Sequence, residues 1–99
     1  MTIQNGMRAS EITSGQMKVL DLHGVAVAIA NVEGAFFAIS DACTHDGASL
    51  SKGTLDGRIV TCPGDGSRFD LASGSVIAGP ATARVRTYHV QARDDEIRV

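Results

Sequence analysis

Short apolar runs, each stopped by a turn signal, make up most of this chain. Met17 to Leu22, Val25 to Ala30 and Phe36 to Ile39 are three such runs, parted by His23-Gly24 and Glu33-Gly34. Glycine takes positive φ without steric penalty, so both separators suit tight hairpins between antiparallel strands. Arg58 to Thr61 follows Asp56-Gly57, another strong hairpin signal. Near the end, Tyr88, Val90 and Ala92 alternate with Thr87, His89 and Gln91, the period of two that a half-buried strand requires. Asp94-Asp95 then turns the chain into a last strand with Ile97 and Val99 on one face. Helical periodicity is nearly absent; only Ser10 to Gly15 could hold a helical turn, with Ser10 as its cap. The pattern predicts an all-β domain of short antiparallel strands.

Composition narrows the function without naming it. The 99 residues allow one small domain, and a core this small gains from a metal or another staple. Hydrophobic residues are 43% and charged residues 20%, ordinary for a globular protein. Nine basic against eleven acidic residues give a net charge of −2 with no basic run, which argues against nucleic acid as a partner. Mild acidity is compatible with docking onto a basic protein surface. The longest apolar run is six residues, Val25 to Ala30, far short of a membrane span. Met1 to Gly6 lacks a charged region followed by an apolar one, so no signal peptide is expected and the location is read as cytoplasmic. In that reducing compartment the two cysteines read as ligands or idle thiols rather than a disulfide.

Those cysteines carry the chemistry. Cys43-Thr-His45 and Cys62-Pro-Gly-Asp65 stand sixteen residues apart, a spacing that brings four metal donors together from two loops. Residues 41–80, which hold both cysteines, both prolines and most of the glycines, are read as a loop-rich cluster-binding subdomain within the single domain 1–99. Three donors are ideal for a metal, and the fourth position holds Asp65.

The two motifs resemble those of Rieske-type ferredoxins. Cys43-Thr-His-Asp-Gly-Ala-Ser-Leu50 is similar to the first cluster loop of that family, and Cys62-Pro-Gly-Asp-Gly-Ser-Arg-Phe-Asp70 to the second, except at Asp65. The Gly74 turn and Gly79-Pro80-Ala81 match the family's segment beyond the second loop. The resemblance implies three small antiparallel sheets and a [2Fe–2S] cluster whose second iron takes two histidines in the family. It implies that Cys43 and Cys62 hold one iron, that His45 and the group at Asp65 hold the other, and that Gly79-Pro80-Ala81 covers the cluster. It further implies a monomeric one-electron carrier, not an enzyme, that passes electrons from a ferredoxin reductase to a terminal oxygenase. Ser67 stands where high-potential relatives place a hydroxyl donor to the cluster, and Phe69 where they place a tyrosine. The expected potential is therefore low to intermediate.

Three readings of Asp65 stand open. It ligates iron, making the oxidised centre −1 instead of neutral and lowering its potential; or three ligands hold a labile cluster or a single metal ion; or the domain has lost its cofactor and serves as a binding or regulatory module. Retention of Cys43, His45 and Cys62 argues against the last, and Gly64 makes the loop tip flexible. Elsewhere the expectations are plainer. His23 and His89 read as surface residues, Asp46 as a solvated loop carboxylate, and Phe36, Phe37 and Phe69 as core. Asp70 ends a strand.

Overall fold

A computed structural model of the chain describes residues 7–99, so the reading of Met1 to Gly6 lies outside the described residues. Among the described residues ten short strands form three antiparallel sheets, as the apolar pattern and the family resemblance lead one to expect. β1 (Met17–Leu22), β2 (Val25–Val32) and β3 (Ala35–Ser40) run as a meander, and β8 (Thr87–Tyr88) closes that sheet beside β3. β4 (Thr54–Asp56), β5 (Ile59–Thr61), β6 (Arg68–Asp70) and β7 (Val76–Ala78) form the second sheet. β9 (Gln91–Arg93) and β10 (Glu96–Arg98) form a terminal hairpin.

The turns follow from local chemistry. His23 and Gly24, Glu33 and Gly34, and Asp94 and Asp95 all have positive φ, the pairs needed to match the twist of two-residue hairpins. The expected single strand over residues 87–92 is instead two pieces. Tyr88 pairs with Ala38 of β3, whereas Gln91 pairs with Arg98 of β10, and the chain changes sheet at His89-Val90. An alternating pattern reports which residues face a core, not which neighbour each residue pairs with. The helical turn also moves: a 3-10 turn spans Ala9–Glu11, and Ser10 does not cap it. Both Ser10 donors go to Asp95 instead, the amide at 2.7 Å and the hydroxyl at 2.9 Å.

Two apolar clusters hold the sheets together. One joins Ile12, Leu20, Val27, Ile29, Ala38 and Ile97, and so fixes the terminal hairpin and the 3-10 turn to the first sheet. The other takes Ala28, Ala30 and Ile39 from the opposite face of that sheet and packs them against Leu50, Val60, Phe69, Leu71 and Val85. Cys43 and Cys62 belong to this second cluster. Phe69 is fully buried in it, as its apolar character requires, while Phe36 and Phe37 flank the two clusters as half-buried partners.

One buried polar residue ties the 3-10 segment to β2. Asn31 donates from Nδ2 to the Ile12 carbonyl at 2.7 Å and accepts the Gly34 amide at 2.8 Å. Asn31→Ala leaves the carbonyl of a buried residue without its donor, an expected loss of about 1–3 kcal/mol in urea unfolding. Asp95 gives a second test. The Arg8 guanidinium beside it, with both Ser10 donors, holds its carboxyl below the ordinary 3.8. A depressed folded-state value stabilises above the unfolded-state value and loses that contribution as pH falls through the folded one. Asp95→Asn should therefore be less stable than the parent at pH 7, and the gap in melting temperature should close as pH drops below about 4.

Candidate metal centre

The first loop leaves β3 and is closed by an Ala42–Ser49 bridge, and the second joins β5 to β6. Their backbones close the same way. The Cys43 amide donates to the Ala48 carbonyl at 2.9 Å, and the Gly47 amide returns to the Cys43 carbonyl at 2.9 Å. In the second loop Cys62 donates to Ser67 at 2.7 Å, and Gly66 returns to Cys62 at 3.1 Å. Gly47 (φ +78°) and Gly66 (φ +80°) occupy the same left-handed position, four residues after each cysteine. Asp41 braces the first loop from below, its carboxylate accepting the Ser51 amide at 2.7 Å. Thr44 ties the tip to a third segment through its hydroxyl, 2.6 Å from the Ala83 carbonyl.

The loops bring Cys43, Cys62 and Asp65 into one donor group, while the fourth motif residue, His45, stands outside it and meets it through Asp65. Cys43 and Cys62 are 3% and 2% exposed. His45 and Asp65 lie toward solvent, and His45 Nδ1 is 2.8 Å from Asp65 Oδ2. Their side chains are 50% and 14% exposed. Asp65 Oδ1 also accepts the Ser67 amide at 2.9 Å. That N–H, reinforced by the Ser67 hydroxyl, His45 and Cys62, pulls its carboxyl down to about 2, so Asp65 is a carboxylate at neutral pH. Burial does the opposite to Cys62, pushing its thiol up to about 11 against the backbone N–H groups of Asp65 and Gly64. The Gly64 amide points at the sulfur from 3.4 Å. A bare thiolate is thus disfavoured at Cys62 until a cation offsets the charge.

Ser67 is fully buried, and its hydroxyl oxygen accepts the Ala81 amide at 2.9 Å. This bond draws the Gly79-Pro80-Ala81 segment, with its cis Gly79–Pro80 peptide, against the second loop. His23 lies in the β1–β2 turn and His89 between β8 and β9, and neither joins the donor set.

Asp46 corrects the reading of a merely solvated loop carboxylate. It is exposed, but its Oδ1 lies 3.5 Å from Cys62 Sγ, as well as 2.9 Å from the Ala48 amide. The signal for it is in the sequence: both loops read Cys-x-x-Asp-Gly, at 43–47 and 62–66. The resemblance to Cys-x-His loops drew attention to His45 and away from its neighbour.

In donor chemistry the site fits a Rieske-type [2Fe–2S] cluster. Two thiols share the buried floor, a backbone N–H is aimed at one sulfur, and an imidazole and a carboxylate meet at the solvent side. Comparison with known proteins agrees. Residues 3–89 match the Rieske [2Fe-2S] domain family. The ferredoxin component of the naphthalene 1,2-dioxygenase system of Pseudomonas putida is 35% identical over 82 residues, covering 83% of this chain and 79% of that protein. The Sphingomonas yanoikuyae B1 ferredoxin superposes with a TM-score of 0.88 at 31% identity, over 94% of this chain and 92% of that one. The complex of reduced oxygenase and oxidized ferredoxin in carbazole 1,9a-dioxygenase contains a chain that matches with a TM-score of 0.87 at 32% identity, over 92% of this chain and 94% of that one. With the family match running along most of its length and the two cysteine loops converging as described, this chain belongs to the Rieske [2Fe-2S] domain family.

Proposed function

We propose that this protein is a soluble, cytoplasmic one-electron carrier that takes electrons from a ferredoxin reductase and delivers them to a terminal oxygenase. It acts as a monomer and not as an enzyme. Relatives named as ferredoxin components of dioxygenase systems support the role, as does a similar ferredoxin solved together with its oxygenase. Among the described residues no helix is long and apolar enough to cross a membrane.

The observation that carries the reading is the convergence of two buried thiols with a half-buried carboxylate that meets an exposed imidazole. Cys43, His45, Cys62 and Asp65 would hold the cluster, within a binding subdomain spanning residues 41–80. When bound, the cluster supplies a site that gains and loses one electron. The chain does the rest. Leu50, Phe69 and Leu71 exclude water behind the sulfurs. Thr44 and Ser67 fix both loops to the segment around Gly79-Pro80-Ala81. The exposed ring of His45 lies on the side open to a partner's surface.

Asp65 sets the electrical character of the centre. A carboxylate in place of a neutral imidazole adds one negative charge, and this opposes the arrival of an electron. Purified without oxygen, the protein should show iron–sulfur absorption in the visible range, with two irons and two sulfides per chain. A folded, colourless, iron-free product would overturn the carrier role. Asp65→His should raise the reduction potential by on the order of 100 mV, the effect of one unit charge a few ångströms away at an effective dielectric of about 20. An unchanged potential would remove Asp65 from the ligand set.

A further inference from the structure

The two loops carry a symmetry that the four-ligand pattern does not use. Each reads Cys-x-x-Asp-Gly. Within each, the aspartate carboxylate accepts the amide two residues on: Asp46 that of Ala48 at 2.9 Å, Asp65 that of Ser67 at 2.9 Å. Each carboxylate also reaches across to the other loop's sulfur. Asp46 Oδ1 is 3.5 Å from Cys62 Sγ, and Asp65 Oδ2 is 3.8 Å from Cys43 Sγ. The two thiols and two carboxylates place one donor atom each within 4.8 Å of all the others.

That spacing can be compared with what metals require. Around one tetrahedral ion, metal–sulfur bonds of about 2.3 Å and metal–oxygen bonds of about 2.0 Å put sulfur and oxygen about 3.5 Å apart and the two sulfurs about 3.8 Å apart. Donors at opposite ends of a two-iron cluster stand farther apart, on the order of 5 Å or more, because their bonds point away from each other. Both cross-loop contacts are hydrogen bonds from thiol to carboxylate, and their lengths, 3.5 and 3.8 Å, are close to the sulfur–oxygen separation around a single ion. Paired Cys-x-x-ligand loops are also the spacing of structural zinc sites, here with aspartate as the second donor of each pair.

Gly64 is what admits Asp46. A Cβ built at Gly64 would fall well inside contact distance of Asp46 Oδ2, and 3.1 Å from both Asp46 Cγ and Ala48 Cβ. Any side chain at position 64 therefore has to push the Asp46 carboxylate out of its place beside Cys62. Only a short, mobile side chain must give way there, so the cost to the backbone is small. His45, which meets the set through Asp65 at 2.8 Å, would orient that carboxylate from outside, as hydrogen-bond partners of metal ligands do.

We propose that this pocket also binds a single divalent, thiolate-compatible cation such as Zn²⁺ or Fe²⁺ through Cys43, Asp46, Cys62 and Asp65. This rests on the same two-loop pocket as the carrier role, and the two loadings exclude each other because both need both sulfurs. Each thiol releases one proton to solvent as its metal–sulfur bond forms, and the two carboxylates bind as they stand.

The test uses the full-length protein, reduced and stripped of metal with a chelator, titrated anaerobically with Co²⁺. One Co²⁺ per chain should bind, giving sulfur-to-cobalt charge transfer and the intense ligand-field absorption of a four-coordinate ion, and Zn²⁺ should displace it. X-ray absorption of the zinc form should find two sulfur and two oxygen neighbours. Asp46→Asn, which keeps the acceptor for Ala48, should weaken Co²⁺ binding by about 10–100-fold. Gly64→Leu should produce a comparable loss. The proposal is overturned if the parent shows only weak, six-coordinate cobalt, or if neither variant changes the affinity. The carrier role fails separately, on failure of the parent to take up two irons and two sulfides, and that outcome leaves the cobalt result readable.

Discussion

Burial of two cysteine sulfurs in the apolar cluster between the sheets is the constraint on which the molecule depends. Cys43 and Cys62 sit with Ala28, Ala30 and Ile39 of the first sheet and with Val60, Phe69 and Leu71 of the second sheet and its adjoining turn. The two sulfurs are thus part of the contact that joins the two halves of the fold. Moving either sulfur would open the core, and loosening the core would spread the sulfurs. A small domain gains doubly from such an arrangement, because a bound metal would reinforce the weakest place in a limited apolar interior.

Around that floor the loops divide the work by depth. Backbone bonds local to each loop fix the cysteines, and Gly47 and Gly66 let the chain turn back under them. Side chains one layer out, Thr44 and Ser67, connect the loops to the segment around Gly79-Pro80-Ala81. The outermost groups, His45 and Asp46, face solvent and so face any partner. An electron carrier needs this gradient: a dry floor to hold the centre and a thin polar edge through which charge can leave.

A carboxylate at position 65 alters more than one contact. Asp65 is short and negatively charged, and it accepts the Ser67 amide, so it lies inward, near Cys43. With Gly64 removing bulk beside it, a second carboxylate enters from the first loop. The result is a pocket that sets two carboxylates beside two sulfurs.

Much of the fold was legible in the chain. The runs Met17 to Leu22 and Val25 to Ala30 became strands, the second extending to Val32, and the His23-Gly24 and Glu33-Gly34 separators became positive-φ turns, because these depend on neighbours in sequence. The break at His89-Val90 was not legible, since which sheet a strand joins is settled by partners that alternation does not name. Nor was the role of Ser10, whose donors are claimed by Asp95 from the far end of the chain. At the site, the two cysteines, Asp65 and the loops that carry them could be read directly from the spacing of the motifs. That Asp46 stands beside Cys62 and Asp65 beside Cys43 emerges when the chain is folded. Those contacts cross between loops, and no local rule of turn or spacing fixes the distance between two segments until a shared core holds them together.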